Sequence, residues 1–391
     1  MNAADPMGSV SCERIMQGAR IITGCTSALD AGLHSRVARI VERLNQLGVR
    51  SQQACAAAEN QLRALLVTRL LLERDRRRIE AIAAEVIERP IFVIGFSRTG
   101  TSLLHSLLAQ DEDSRAPRWW QTHSPSPPPG ELPVTPQRLA DTARELERFL
   151  QKTPGLLTLH PYWDEGAQSL IEDEEIATLD FQNMYPSLLF DIPGQEVMGG
   201  SFEPRGAHEF QKQFLQHQQW NTPRKRWAAK GIYHQFALRS LFQTFPDALC
   251  LWPHRDPAVV QASTLAIATV VYGGINDWDI DPRRMAQAFV HGARDALENL
   301  ATDPIVDDPR IVHVKFDAIA ADPVAIVRNA YSQWGLPYSI SFENSMKRWL
   351  QDPANRSDRY GRYDYSLETF GFDAEQVRGM FPNYRKRFGL K

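Results

Sequence analysis

PIFVIGFSRTGTSLLHSLL, residues 90–108, passes in nineteen residues from a short apolar run through two glycines into an amphipathic run. The first part, Ile91–Phe96, is rich in β-branched and aromatic residues and reads as a strand buried on both faces, as in a parallel sheet. Thr101–Gln110 then reads as a helix. The turn between them has the spacing of a phosphate loop: Gly95, four residues, Gly100, one residue, Ser102. Thr101 stands where that pattern places lysine. Strand, glycine loop and helix form the setting in which backbone N–H groups and the helix dipole gather at an anion. Ser97, Thr99, Thr101 and Ser102 add hydroxyls, and Arg98 adds a positive charge. Without the lysine, nothing replaces its contact with the outer phosphates of ATP or GTP. No Walker-B strand ending in a magnesium-binding aspartate accompanies the loop, since Asp256 is flanked by Arg255 and Pro257.

Arg226–Lys230, Ala248–Arg255 and Arg310–Phe316 read as further strands. His234–Phe245, the segment opened by Pro257, and Asp322–Trp334 read as the helices between and after them, the last stopped by Gly335 and Pro337. Alternation of this kind predicts an α/β, P-loop-like three-layer fold with a central, mainly parallel sheet flanked by helices. Residues 138–152 read as helical, and Leu170–Tyr185 as an acidic-faced helix. The six prolines from Pro125 to Pro136 mark a loop. Residues 1–89 form a helical N-terminal extension. Its last helix, with Leu62, Leu65, Leu66, Leu70, Ile79, Ile82 and Val86 near helical spacing, is expected to run to Pro90. The expected domains are this extension, 1–89, and one domain over 90–391.

At 391 residues, 43% apolar and 23% charged, the composition is that of an ordinary globular chain. A net charge of −3 lacks the electrostatic footprint of a nucleic-acid binder. Cys12, Cys25, Cys55 and Cys250 show no paired spacing, so neither zinc nor a disulfide framework is indicated. The first 50 residues hold no basic region followed by an apolar core. No apolar stretch reaches the ~18 residues of a membrane span. A cytoplasmic location is expected.

The residues around the loop resemble the sulfotransferase family that uses 3′-phosphoadenosine 5′-phosphosulfate (PAPS). Arg98-Thr99-Gly100-Thr101-Ser102 matches its loop for the 5′-phosphosulfate. RDPAVVQAS, residues 255–263, matches its second element, an arginine at a strand end and a serine eight residues later. The likeness extends over about residues 90–391 and is strongest to bacterial relatives, through the Pro-rich SPPPG, the acidic EDEE, TFPDA and YSLETFG. It implies a sulfotransferase with PAPS as co-substrate, 3′-phosphoadenosine 5′-phosphate (PAP) as product, and no metal. Arg98, Thr99, Gly100, Thr101, Ser102, Arg255 and Ser263 then hold the donor. Arg362, after Gly361, matches a Gly-basic pair that closes over the 3′-phosphate, with Arg356 and Arg359 as alternatives. Lys230 stands where the family has a lysine reaching the bridging oxygen.

Charge grows on the leaving phosphate during such a transfer, so alignment and cationic stabilisation are the chemistry required, Arg98 among the contributors. The acceptor hydroxyl needs a base. The histidine that cytosolic members carry two residues after the lysine is Ile232 here. Glu172 is the first candidate, Glu175 the second, three residues apart on a helix face, and His234 a third. Trp119, Trp120, His123, Tyr162, Trp163 and Tyr185 are candidates to line an apolar acceptor pocket. The expected acceptor is a hydroxylated small molecule, lipid or glycan, and neither nucleic acid nor a membrane span is involved. Residues 1–89 either cover the acceptor site or mediate assembly, a homodimer being one such arrangement. Three other readings stay open: a P-loop NTPase or kinase, a PAP-binding relative that has lost transfer, and a serine hydrolase built on Ser97.

Overall fold

The structure, a computed structural model, describes residues 7–25, 30–46, 50–182, 204–275 and 281–390. Its contacts divide the chain into two units. The first joins residues 1–86 with 120–142 and 174–223, and the second holds 87–119, 143–173 and 224–391.

In the first unit, β1 (Met7–Gly8) pairs antiparallel with β2 (Arg50–Ser51). Between them lie α1 (Cys12–Thr23) and α2 (Ala31–Gln46), and α3 (Gln52–Arg78) follows. Helical periodicity makes their core: Ile15, Met16 and Ala19 of α1, Leu33, Val37, Ile40 and Leu44 of α2, and Leu62, Leu66 and Leu70 of α3 are all buried together. Ser11 starts α1 by accepting from Arg14 N, and Gly24 ends it in the left-handed region.

The periodicity predicted that α3 would continue to Pro90, but it stops at Arg78, and a 3-10 turn, Glu80–Ala84, follows. Side-chain amides take over from helix bonding there. Gln216 Nε2 donates to Ala83 O and Glu85 O, and Gln219 Nε2 donates to Val86 O at 2.9 Å. Both glutamines project from the helix Pro204–Gln219, 130 or more residues away, so no local signal marks the break.

A second joint is ionic. Asp180, 4% exposed, accepts from Arg36 Nη2 and Arg69 Nε, each at 2.7 Å, and from Gln182 Nε2 at 2.6 Å. Removing one partner of such a cluster strands the partly buried cations. Asp180→Ala is expected to lower unfolding free energy by about 3 kcal/mol in a urea melt, whereas Asp180→Asn keeps part of it.

In the second unit, β3 (Ile91–Ile94) has all four side chains fully buried. β4 (Ser114–Arg115), β5 (Arg226–Gly231), β6 (Leu249–His254) and β7 (Ile311–Lys315) complete a parallel sheet of order β4-β5-β3-β6-β7. The two-residue edge strand β4 is too short for any periodicity to announce it. α4 (Thr101–Leu108) packs Leu104, Leu107 and Leu108 with Val327, Ala330 and Tyr331 of the helix Pro323–Trp334. This is the P-loop-like α/β fold, with helices flanking a parallel sheet.

The register decides where the chemistry lies. Val93 is level with Lys230 on one side and Leu251 on the other. The strand order turns outward in opposite directions from β3, so the loops after β3, β5 and β6 meet at the carboxyl ends of the strands, where open α/β sheets bind ligands.

Candidate active site

The loop after β3 is shaped by two glycines. Gly95 has φ 118° and Gly100 φ 99°. A Cβ at Gly95 would stand 3.1 Å from Pro253 O, and one at Gly100 would stand 3.3 Å from Ile319 Cδ1. Arg98 also lies in the left-handed region, at φ 70°, which costs energy for a residue with a side chain and is common where a ligand is held. Thr99 is buried, and its hydroxyl donates to Phe96 O at 2.7 Å, closing the loop from inside. Gly100 caps α4, so Thr101 and Ser102 begin the helix whose N-terminus faces the loop.

Two arginines converge there. Arg98 Nη1 donates to Leu159 O at 2.6 Å, and Arg255, directly after β6, donates from Nη1 to Arg98 O at 2.8 Å. The Arg255 guanidinium lies 3.8 Å above the Phe316 ring. Burial lowers its pKa, and the charge of Arg98 adds to that. Two positive charges beside one loop favour an anion there. Ser263, on the helix Pro257–Ile275, is fully buried, and among the described residues nothing bonds to its hydroxyl. Such a group is unusual without a ligand to meet it. A cavity of about 750 Å³ opens beside Arg98 and is lined by Leu103, Leu159, Tyr162, Arg356, Arg362, Tyr363 and Tyr365 among others. Arg362 lines this cavity, while Arg359 is taken by Asp164 at 2.8 Å and Arg356 pairs with Asp358.

Lys230 joins the loop to the acidic segment. Its Nζ donates to Ser102 Oγ at 2.9 Å and to Glu172 Oε1 at 2.5 Å, with side chains 7% and 13% exposed. Burial alone would raise the Glu172 pKa. The Lys230 ammonium opposes it through both its charge and its hydrogen bond, and with smaller influences from His160 and His105 the carboxyl is held below its ordinary value. His105 donates from Nε2 to Ala228 O, and burial pushes its pKa down to about 3. His160 is likewise pushed down to about 3, by burial first and then by Lys230. Its ring stands edge-on to Trp163 and Tyr162. Neither histidine belongs to a motif, and only the folded chain reveals that they neighbour Glu172.

The other base candidates are placed differently. The acidic helix begins at Asp173 and ends at Leu179, so Glu172 precedes it and does not share a helical face with Glu175. Glu175 belongs to the first unit, where it accepts from Thr122 Oγ1 at 3.4 Å. His234 is fully buried, with Nε2 2.8 Å from Asp173 Oδ2 and its pKa pushed down to about 3 by burial. Trp119, Trp120 and Trp163 are buried. Trp119 and Trp163 pack with Phe149, and Trp120 lies under Arg138. Tyr185 lies outside the described residues. No group of three metal-ligating side chains suited to an ion occurs among the described residues, and no described helix is long and apolar enough to cross a membrane.

With strand, loop and converging cations in place, the comparisons settle the class. The family model described as "Sulfotransferase family" matches residues 90–339, and the chain belongs to that family. It is a sulfotransferase, of the kind found in bacteria. It is similar to the omega-hydroxy-beta-dihydromenaquinone-9 sulfotransferase Stf3 of Mycobacterium bovis, 25% identical over 316 residues, 77% of this chain and 74% of the relative. The Mycobacterium tuberculosis protein of the same name matches to the same extent. Among solved structures, sulfotransferase STF9 from Mycobacterium avium superposes with a TM-score of 0.83 at 23% identity, covering 100% of this chain and 98% of that one. Sulfotransferase STF1 from Mycobacterium tuberculosis follows at 0.78 and 22%, covering 95% and 98%. These two speak for the fold.

Proposed function

We propose that this chain moves the sulfuryl group of PAPS to a hydroxyl of a lipid or other small molecule, with Glu172 as general base. The observation that carries the reading is Lys230 Nζ, bonded at once to Ser102 of the anion loop and to Glu172. That one ammonium touches both the group that would hold the leaving phosphate and the group that would take the proton.

The residues fit the donor. The loop Arg98–Ser102, at the start of α4, supplies backbone N–H groups, hydroxyls and charge for the 5′-phosphosulfate. Arg255 and the unpartnered hydroxyl of Ser263 supply the 3′-phosphate side; the resemblance assigns Arg362, which lines the cavity beside Arg98, to close over it. In an in-line transfer the acceptor oxygen attacks sulfur, and its proton passes to a Glu172 carboxylate oxygen. The bond from sulfur to the bridging oxygen breaks, and its electron pair stays on the 5′-phosphate of PAP. Arg98 and Lys230 neutralise the charge that appears there. Lys230 must turn from Glu172 toward the donor for this, which releases the carboxylate to act as base. A lipid acceptor is favoured by the relative whose name specifies a hydroxylated menaquinone. Glycan and other small-molecule hydroxyls are the further members of the test panel.

Calorimetry with PAP tests the donor assignment. Wild-type protein is expected to bind PAP without added metal. Arg255→Ala is expected to weaken binding by about 10- to 100-fold, and Ser263→Ala by about 3- to 10-fold. PAP that fails to bind, or binds both variants as it binds the wild type, defeats the assignment. Labelled PAPS offered with hydroxylated quinones, lipid extracts and glycans then identifies the acceptor by the product that gains sulfate.

A further inference from the structure

Glu172 and Lys230 are 58 residues apart in sequence, yet the transfer described above needs the backbone segments that carry them held in place while the Lys230 side chain turns. Each has a neighbour turned away from the reacting groups. Asp173, the next residue after Glu172, begins a helix. His234 lies in the 3-10 turn Tyr233–Phe236 that follows β5, the strand carrying Lys230. These two neighbours meet: His234 Nε2 is 2.8 Å from Asp173 Oδ2, and both side chains are completely enclosed. Gly231, at the end of β5, leaves the space for it. A Cβ there would stand 2.8 Å from His234 Nε2 and 3.2 Å from Asp173 Cβ. The imidazole also meets the Phe92 ring nearly edge to face, at 4.9 Å between centroids, and Phe92 lies on the strand that runs into the anion loop. One ring therefore touches the supports of all three parts of the site.

We propose that Asp173 and His234 are positioning residues of the transfer reaction, their enclosed hydrogen bond setting the separation of Glu172 from Lys230. The inference rests on Glu172 being the base. Burial keeps the imidazole neutral over the working range, so it gives Asp173 a neutral N–H and not a mobile charge. With Asp173 as a carboxylate, Nε2 carries the shared hydrogen and Oδ2 accepts it. Enclosed on all sides, the pair acts through Glu172, next to Asp173, and through β5, whose Lys230 stands four residues before His234. A shift of about 1 Å between base and donor is enough to slow a reaction about 100-fold.

The test compares kcat, from labelled PAPS and the best acceptor, with PAP affinity by calorimetry, in the wild-type and E172Q backgrounds. Asp173→Ala is expected to lower kcat about 100-fold while PAP affinity stays within about twofold. Asp173→Asn, which keeps an oxygen for His234, is expected to stay within about tenfold of wild type. In the E172Q background, Asp173→Ala should slow the residual rate no further, because the residue it positions is already disabled. The same loss of rate in both backgrounds, an equal loss of PAP affinity, or an unchanged kcat overturns the proposal. Should Asp173→Ala not fold, His234→Gln, which retains an N–H for the carboxylate, takes its place with the same two-background comparison and an expected loss of about tenfold. Failure of the underlying reading shows separately: an E172Q protein with wild-type rate removes Glu172 as base and this inference with it, and absent PAP binding removes the donor.

Discussion

Lys230→Ala is expected to lower kcat by about 1,000-fold while weakening PAP binding by no more than about tenfold. The ammonium is proposed to meet charge that develops on the bridging oxygen only as the bond to sulfur breaks. A donor used in that way contributes more to the transition state than to the bound ground state, and losses of about 100- to 1,000-fold follow removal of one neutral donor of this kind. A charged donor in a site where the lysine side chain is 7% exposed belongs at the upper end. The same substitution strips Glu172 of the partner that holds its pKa down, leaving burial as the dominant influence, and burial raises a carboxyl. The variant therefore loses its electrostatic partner, and its carboxyl titrates at higher pH than in the wild type. Lys230→Arg keeps the charge but not the compact point donor that fits between Ser102 and Glu172, and recovers only part of the rate. Single-turnover transfer and PAP calorimetry on the same preparations separate the two effects. A fall in kcat of less than about tenfold removes Lys230 from the reaction.

Sequence alone made the middle of this protein legible because its signals there are local. A buried strand of four apolar residues, a loop that needs Gly95 and Gly100 at positive φ, and a helix opened by Thr101 are all encoded within twenty residues. The strand end at Arg255 and the helix opened by Pro257 are equally local. What escaped is what depends on partners distant in sequence. α3 breaks at Arg78 because Gln216 and Gln219 bond the carbonyls beyond it, and no residue near Arg78 carries that information. β4 exists because Arg226 and Trp227 of β5 pair with two residues that have no strand pattern of their own. Glu172 was singled out for its residue type, but its pairing with Lys230 and its place just ahead of the helix emerge only from the fold. His160, which bears on the same carboxylate, has no spacing that sets it apart from a packing histidine.

Glu172→Gln is expected to lower kcat by about 100- to 10,000-fold, the range over which a positioned base contributes, with PAP affinity changed little. The pH dependence of the wild type gives a sharper expectation. In the free protein the carboxyl sits below its ordinary value, because the charge and hydrogen bond of Lys230, with the neighbouring histidines, together offset burial. A group with a depressed pKa stays ionised until the pH falls through that low value. The acid limb of kcat/KM for the donor, which reports the free protein, therefore lies below the ordinary carboxyl range of about 4.3. Once the donor draws Lys230 toward its phosphate, the carboxyl loses its nearest cation and its pKa climbs. The acid limb of kcat, which reports the donor-bound protein, is accordingly expected at higher pH than that of kcat/KM. Donor binding between the two limbs must then be accompanied by uptake of a fraction of a proton. PAP calorimetry in buffers of different ionisation enthalpy measures that uptake directly, and Glu172→Gln is expected to abolish it while PAP still binds. Identical limbs, or an uptake that persists in the glutamine variant, place the titrating group elsewhere and withdraw Glu172 from the role of base.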